Sequence, residues 1–260
     1  MKRTSHTGSL SLPAAIIVAA ALIAVALIWI NRPTSTDKTG TGSSNADTAQ
    51  QGDFVIAPVT ANEHILGNPN APIKLVEYSD LSCPFCKAFN PTLVAIMGEY
   101  GPGGKVAWVY RHFPLMNPVG DQPAPHPNSG VQAEALECVS ALGGNKAFFA
   151  FESKWFAAFP DDGAGRSASI DRAEIDKTAK GVGIDTISFA DCLGSGRFKA
   201  KVAAAYDAGL AAGVTGTPST VIFTPSGNKI PLIGSQTYSM LKSTIDTLIT
   251  TIATSTSIQN

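Results

Sequence analysis

Two cysteines separated by two residues are the part of the sequence best suited to chemistry. Cys83 and Cys86 enclose Pro84 and Phe85 in a C-x-x-C motif. The apolar run before the motif predicts a strand, and Pro84 predicts the start of a helix that continues to about Tyr100. The Cys83 sulfur would then lie at the positive end of the helix dipole, which favours a thiolate. This placement predicts a redox pair in which Cys83 attacks and the better shielded Cys86 resolves. For an isolated motif, the alternative is a structural disulfide.

Metal binding is the main competing chemistry for such a motif. A structural zinc site requires a second cysteine pair, or paired histidines at ligand spacing. Cys138 and Cys192 are each isolated in the sequence. The histidines are also scattered, at His6, His64, His112 and His126. We therefore expect no metal site and no cofactor.

Glu77 is the second candidate for chemistry. It lies in the apolar run Ile73-Lys74-Leu75-Val76-Glu77-Tyr78, six residues before Cys83. If this strand is buried, the Glu77 carboxyl has a raised pKa and can carry a proton to or from Cys86. The alternative places Glu77 at the strand edge, facing solvent.

The dipeptide Thr217-Pro218 stands directly before a clear strand, Thr220-Val221-Ile222-Phe223. Proline is tolerated at a strand start because no ladder hydrogen bond is needed from its nitrogen. The residues alone favour a trans bond, since only about 5–6% of X–Pro bonds are cis. A cis bond would leave the Thr217 backbone free to pair with a substrate strand.

The surrounding elements run strand–helix–strand, then a long helical stretch, then strand–strand–helix. The second strand is predicted from Val106 to His112, and a parallel pair follows from this order. Helical patterns indicate an insertion over about 126–212, where Ser188 is expected to open a capping box. Lys229 to Ile233 completes a hairpin, and a helix from Tyr238 to Ile252 closes the domain. The predicted class is α/β.

The first 53 residues differ in composition from the rest of the chain. Residues 10–30 carry no charge and are long enough to cross a hydrocarbon core of about 30 Å, which predicts a transmembrane anchor. Lys2 and Arg3 precede it, so residues 1–9 are expected in the cytoplasm. Residues 31–53 are rich in Ser, Thr, Gly and Asp and predict a flexible linker to a domain at 54–260. The alternative is a cleaved signal peptide, which would export the domain as well.

The charge composition excludes one class of partner. The chain has 19 basic and 20 acidic side chains and a formal net charge of −1. This balance offers no electrostatic basis for binding nucleic acid.

These segments together resemble the DsbA-like thioredoxin-fold family. The resemblance covers about 200 residues from near His64 to the C-terminus. It rests on His64-Ile65-Leu66-Gly67, the run from Ala71 to Cys86, Tyr110-Arg111-His112-Phe113-Pro114, and Gly213 to Pro218. It implies a thioredoxin fold, βαβ…ββα, with a helical insertion.

The resemblance also assigns roles to individual residues. Cys83 matches the nucleophilic cysteine, Cys86 the resolving cysteine and Glu77 the buried acid. Pro218 matches a cis-proline that faces the redox motif, which reverses the trans preference given above. Contacts with substrate are expected from Thr217, Pro84 and Phe85. His112 and His126 match family positions but receive no catalytic role.

The family resemblance implies a thiol–disulfide oxidoreductase, which we expect to be monomeric. With the anchor predicted at 10–30, we expect a single-pass protein of the cell membrane whose catalytic domain lies outside the cytoplasm. It would oxidise cysteine pairs in exported proteins and be recharged by a membrane quinone-linked thiol oxidase. One alternative is a reductase or isomerase, although residues 54–63 leave little room for the dimerisation domain of related isomerases. Another is a non-catalytic thioredoxin-like envelope chaperone, which would not need Cys83, Cys86, Glu77 and Pro218 intact.

An exported location has a consequence for Cys138 and Cys192. Cysteines in an oxidising compartment are normally joined. Because Cys83 and Cys86 pair with each other, we expect a structural disulfide between Cys138 and Cys192. The alternative is two buried, reduced cysteines that act as small apolar residues.

Overall fold

The structure, a computed structural model, describes residues 55–158 and 172–258. Within these ranges the strands are β1 (His64–Gly67), β2 (Ile73–Ser79), β3 (Val106–His112), β4 (Ser219–Phe223) and β5 (Lys229–Ile233). The helices there are α1 (Pro84–Tyr100), α2 (Ser129–Ala158), α3 (Arg172–Gly181), α4 (Thr186–Gly194), α5 (Lys199–Ala211) and α6 (Tyr238–Ile258). None of these helices combines the length and the apolar character needed to cross a bilayer. The predicted anchor at 10–30 and the linker at 31–53 lie outside the described residues.

The strands form one mixed sheet in the order β1-β3-β2-β4-β5. The pair β2 and β3 is parallel, as the strand–helix–strand order predicts, and the other neighbours are antiparallel. Six of the seven residues of β2 are buried, which explains its nearly continuous apolar sequence in the centre of the sheet. The thioredoxin fold is therefore confirmed.

Strand β1 was not predicted from the sequence pattern. It has only four residues, and only His64 among them is buried. It pairs antiparallel with β3 at the edge of the sheet. Tertiary pairing, rather than an apolar repeat of its own, creates this strand.

The helical insertion lies between β3 and β4. Its first helix, α2, is broken at Gly144, whose φ of 71° lies in the region that favours glycine. Helix α4 begins at Thr186, because the Asp185 carboxylate accepts a hydrogen bond from the Ser188 N–H at 2.8 Å. The prediction that Ser188 opens a capping box was wrong, since Asp185 is the cap and Ser188 lies in the first turn.

A disulfide joins two helices of the insertion. Cys138 of α2 and Cys192 of α4 are bonded, with their Cα atoms 5.9 Å apart. Both cysteines are buried in the main hydrophobic core. The bond links positions 54 residues apart, so it restricts the unfolded chain strongly.

The two faces of the sheet carry separate apolar clusters. Alternation along β3 sends Trp108 and Tyr110 to the cluster with α1 and α2, and Val109 to the opposite cluster. His112, two residues beyond Tyr110, lies edge-on to the Tyr110 and Phe148 rings. The face that carries Trp108, Tyr110 and His112 therefore packs against the helical insertion.

Candidate redox site

The two motif cysteines occupy the first turn of α1. Cys83 is the N-cap, with extended backbone angles, and Pro84 is the first helical residue. Cys83 accepts a backbone hydrogen bond from Lys87 through its carbonyl, at 3.0 Å. Both thiols are free, and the exposed fractions are 3% for Cys83 and 0% for Cys86. The resolving position is the more deeply buried one, as predicted.

The segment before β4 faces the Cys83 sulfur. In its thiol form, Cys83 donates a hydrogen bond to the Thr217 carbonyl, with Sγ and the oxygen 3.3 Å apart. The Thr217–Pro218 peptide bond is cis. The trans preference drawn from the residues alone was therefore wrong, and the arrangement implied by the family resemblance is present.

The pKa values of the two thiols are shifted in opposite directions. A hydrogen bond from Cys86 is the largest cause that lowers the pKa of Cys83 to about 6, while burial opposes this effect. Burial raises the pKa of Cys86 well above its usual value, and its hydrogen bond to Cys83 raises it further. Near neutral pH, Cys83 is therefore a thiolate and Cys86 a thiol.

Glu77 lies in the centre of the sheet beneath the motif. Its side chain is 1% exposed, and its Oε2 accepts a hydrogen bond from Trp108 Nε1 at 3.0 Å. Burial is the main cause that raises the pKa of Glu77 to about 7. The Glu77 charge also raises the pKa of Cys86, so the two groups interact. The alternative that placed Glu77 in solvent at a strand edge was wrong.

Comparison with known proteins agrees with this arrangement. A family profile described as Thioredoxin matches residues 59–247, well over half of the chain. This chain belongs to the thioredoxin family.

Solved structures narrow the resemblance within the thioredoxin family. Pseudomonas aeruginosa DsbA2 superposes with a TM-score of 0.55 and 27% identity, over 74% of this chain and 97% of that one. Oxidised BdbD from Bacillus subtilis gives a TM-score of 0.60 over 72% of this chain and 93% of that one. At 22% sequence identity, this similarity supports the fold only. With the Cys83–Cys86 geometry, these similarities make the chain a DsbA-like thiol–disulfide oxidoreductase.

Similarity to longer proteins covers only part of them. A Na(+)/H(+) antiporter NhaA 3 from Salinispora tropica is 26% identical over 167 residues, which are 64% of this chain and 22% of the antiporter. A probable disulfide bond formation protein D from Bacillus cereus is 32% identical over 62 residues, or 24% of this chain and 29% of that protein. This chain thus spans less than a third of each relative.

A second buried acid of this thioredoxin-family site was missed by sequence reasoning. Glu152 of α2 is fully buried, and neither carboxyl oxygen has a hydrogen-bond partner. Burial, and then the Glu77 charge, raise its pKa well above the usual value, which favours the neutral carboxyl. Its position in the sequence, directly after the aromatic residues Phe148, Phe149 and Phe151, could have predicted that this acid is buried.

A buried ion pair stands beside Cys83, and sequence reasoning missed it too. Asp80 Oδ2 lies 2.8 Å from His126 Nδ1. Burial lowers the pKa of His126, but the bond to Asp80 outweighs this, so the pKa is raised. The Asp80 charge also raises the pKa of Cys83. His126, which received no role from the sequence, therefore moderates the charge next to the reactive thiol.

Two histidines that are distant in sequence meet in the structure. His64 and His112 both approach Glu137, at 3.0 and 3.2 Å. The histidines are scattered in the sequence, but His64 and His112 lie close together in the fold. They do so because β1 and β3 are neighbours in the sheet.

Proposed function

We propose that this DsbA-like enzyme oxidises cysteine pairs in exported proteins, with the Cys83–Cys86 disulfide as the electron acceptor. The observation that carries this proposal is the opposite shift of the two thiol pKa values, to about 6 for Cys83 and upward for Cys86. A stabilised Cys83 thiolate favours the reduced enzyme, and a disulfide whose reduced form is stabilised is an oxidant.

The size of this effect follows from the Cys83 pKa. A value of about 6 in place of the ordinary 9 stabilises the reduced form at pH 7. The gain is about 1.4 kcal/mol, which corresponds to about 30 mV for a two-electron couple. The shift raises the potential in the direction expected of an oxidase.

The proposed reaction has two exchange steps. A substrate thiolate attacks Cys83 Sγ, forms a mixed disulfide and releases the Cys86 sulfur, which takes a proton from Glu77. A second substrate thiolate then attacks the substrate sulfur of the mixed disulfide, and Cys83 leaves as a thiolate. The substrate gains a disulfide, and the enzyme holds both electrons as Cys83 thiolate and Cys86 thiol.

Glu77 suits the proton transfer because its pKa of about 7 lies close to neutral pH. A general acid must be protonated in a useful fraction and must also release its proton readily. An ordinary carboxyl, with a pKa near 4.5, would be almost fully ionised at pH 7. Burial in the sheet therefore creates the proton donor.

Substrate contact is proposed for the residues around the motif. The Phe85 side chain is 64% exposed, although it is large and apolar. Pro84 and Thr217 are partly exposed on either side of the Cys83 sulfur. Together they present an apolar edge and a backbone segment that an extended substrate chain can pair with.

Membrane anchoring and an extracytoplasmic location belong to the same proposal. They rest on the charge-free segment 10–30 and are supported by the Cys138–Cys192 disulfide, since such bonds persist in oxidising compartments. A membrane quinone-linked thiol oxidase would restore the Cys83–Cys86 disulfide. Carbonate-washed membranes should retain the protein, and a membrane-impermeant thiol reagent should reach it in cells with a permeabilised outer layer. Release into the soluble fraction would support a cleaved signal peptide.

The potential of the Cys83–Cys86 couple, equilibrated against glutathione, tests the oxidising role. An oxidase is expected above the roughly −270 mV of thioredoxin. A value at or below that level would instead favour a reductase. Efficient refolding of scrambled ribonuclease would indicate an isomerase. Equal activity of wild type and Cys83→Ser would leave only a non-catalytic chaperone.

A further inference from the structure

Three buried side chains from three separate elements converge outside the redox pair. They are His64 of β1, His112 of β3 and Glu137 of α2, with exposed fractions of 7%, 4% and 2%. One nitrogen or oxygen atom of each lies within 4.8 Å of those of the other two. We propose that this cluster binds Zn²⁺ through His64 Nε2, His112 Nε2 and Glu137 Oε1.

The distances match the edges of a tetrahedral site. Glu137 Oε1 lies 3.0 Å from His64 Nε2 and 3.2 Å from His112 Nε2. Ligand atoms about 2.1 Å from a tetrahedral zinc ion are about 3.4 Å apart. The third edge, between the ligand nitrogens of the two histidines, lies within 4.8 Å. Opening the two edges to Glu137 by a few tenths of an ångström and closing the third toward about 3.4 Å would admit the ion.

The surroundings of His64 orient its ring for coordination. Asn145 Nδ2 donates a hydrogen bond to the Ile65 carbonyl, so Asn145 Oδ1 is the atom that faces His64 Nδ1, at 3.3 Å. With its proton on Nδ1, His64 donates to Asn145 Oδ1, has Ser140 Oγ as a second neighbour at 3.4 Å, and turns the Nε2 lone pair toward the Glu137 carboxylate. Zn²⁺ between Nε2 and Glu137 Oε1, which are 3.0 Å apart, would satisfy both of them, as a proton on Nε2 does without the metal. An outer hydrogen bond of this kind is the usual partner of a metal-binding histidine.

His112 supplies the second observation. Its Nε2 lies 3.2 Å from Glu137 Oε1 but is buried without a hydrogen bond of acceptable geometry. A buried nitrogen left in this way is costly. An ion located between Oε1 and the two rings would satisfy it. The rings of Tyr110 and Phe148 hold His112 from the side, with centroids 5.2 and 6.1 Å away.

A cavity leads to the cluster. It has a volume of about 490 Å³, and its lining includes all three proposed ligands together with Arg111 and Lys201. Three protein ligands with access to a water-sized space match zinc sites that keep one position for water. Two imidazoles and one carboxylate suit zinc better than calcium or magnesium, which prefer oxygen ligands.

Lys201 provides a way to separate zinc binding from a purely structural ion pair. Its Nζ lies 2.7 Å from Glu137 Oε2, and its side chain is 49% exposed. Lys201 therefore binds Glu137 Oε2, the carboxylate oxygen that is not a proposed zinc ligand. Its positive charge would lower the affinity of the site for Zn²⁺. In Lys201→Gln, zinc affinity should be equal or higher. If the cluster is only a network of ion pairs, this change should lower stability and produce no zinc binding.

Titration calorimetry on the oxidised, full-length protein tests the proposal, because its cysteines are then in disulfides and cannot bind zinc. We expect one Zn²⁺ per chain, no binding of Ca²⁺, and a Co²⁺ derivative with the absorption of a tetrahedral site. Asn145→Ala should weaken zinc binding about 10–100-fold, and His64→Gln, His112→Gln and Glu137→Gln by more than about 100-fold. His126→Gln is the matched control, since it removes another buried histidine paired with an acid, and it should bind zinc normally.

Two results would overturn the zinc site: no binding to the oxidised wild type, or undiminished binding to both His64→Gln and His112→Gln. If the ligand variants do not fold, Lys201→Gln and the Co²⁺ spectrum still decide between the two interpretations. The redox potential of Cys83–Cys86 is measured separately, so the zinc site and the oxidase function can fail independently.

Discussion

The indole N–H of Trp108 donates a hydrogen bond to Glu77 Oε2 at 3.0 Å, across the parallel pair of β3 and β2. This bond holds the carboxyl in place within the core beneath the redox motif. It stabilises the ionised form only in part, because burial still raises the pKa of Glu77 to about 7. The same bond places an indole next to the proposed proton donor, so Trp108 fluorescence can report on it.

Glu77→Gln should slow release of Cys86 from the disulfide by about 10²-fold at neutral pH, since a positioned acid typically contributes at least this much. The amide oxygen can still accept the Trp108 hydrogen bond, so the fold should be retained. Because Glu77 donates a proton only below its pKa, its contribution should fall as pH rises through about 7, and the variant should lack this inflection. Stopped-flow fluorescence during reduction by a peptide thiol measures both effects. Glu174→Gln, on an exposed helix face, is the control, and identical kinetics in the two variants would argue against the relay.

Alkylation of the reduced protein should modify Cys83 with a midpoint near pH 6, because only the thiolate reacts and the pKa of Cys83 is about 6. Cys86 should remain unmodified over the same range, since burial raises its pKa and covers its sulfur. Mass spectrometry of iodoacetamide-treated samples at a series of pH values gives both rates. Equal labelling of the two cysteines, or a Cys83 midpoint near 9, would contradict the assigned roles.

His126→Gln should raise the pKa of Cys83 above its value of about 6, because the Asp80 charge would no longer be balanced. Ultraviolet absorbance of the thiolate measures this shift. The double variant Asp80→Asn/His126→Gln removes both charges and should return the pKa to about 6 or below. An unshifted Cys83 in the single variant would show that the ion pair has no influence on the thiol.

The Asp80–His126 pair also predicts a pH-dependent stability. The folded-state pKa of His126 is raised, so its contribution is complete below the unfolded-state pKa and is lost as pH rises through the folded-state value. The difference in the free energy of unfolding between wild type and His126→Gln should therefore shrink as pH increases. Urea unfolding of the oxidised proteins across this range measures it, and a difference that grows with pH would reverse the proposed sign.

Replacing Cys138 and Cys192 together by alanine should lower the free energy of unfolding by about 4 kcal/mol, the chain-entropy value for a 54-residue separation. The potential of Cys83–Cys86 should be unchanged, because the bridge lies within the helical insertion. Denaturant unfolding of oxidised wild type and variant provides the comparison. Mild reductant should release two thiols from the native protein and four after denaturation. Unaltered stability of the variant would mean that the bridge adds nothing to the fold.

The local part of the site could be predicted from the sequence because it depends on neighbouring residues. An apolar run, Cys83 and Pro84 define a strand followed by a helix start, and the structure begins α1 at Pro84. The burial of Glu77 followed from an acid within an apolar strand. Pairing of Cys138 with Cys192 followed from the cysteine count and from the oxidising compartment that we expected. Each of these inferences depends only on residues that are close in the sequence or on the number of cysteines in the chain.

Tertiary structure decided whatever depends on separate segments meeting. The carbonyl that faces the Cys83 sulfur comes from Thr217, which is far from Cys83 along the chain. No pattern in the sequence predicts the raised pKa of Glu152 or the pairing of Asp80 with His126. The meeting of His64 and His112 requires β1 to pair with β3, and a four-residue edge strand carries too little apolar pattern to predict that pairing. Contacts between distant segments depend on how the whole core packs. Local sequence patterns therefore do not determine them, and only the tertiary structure does.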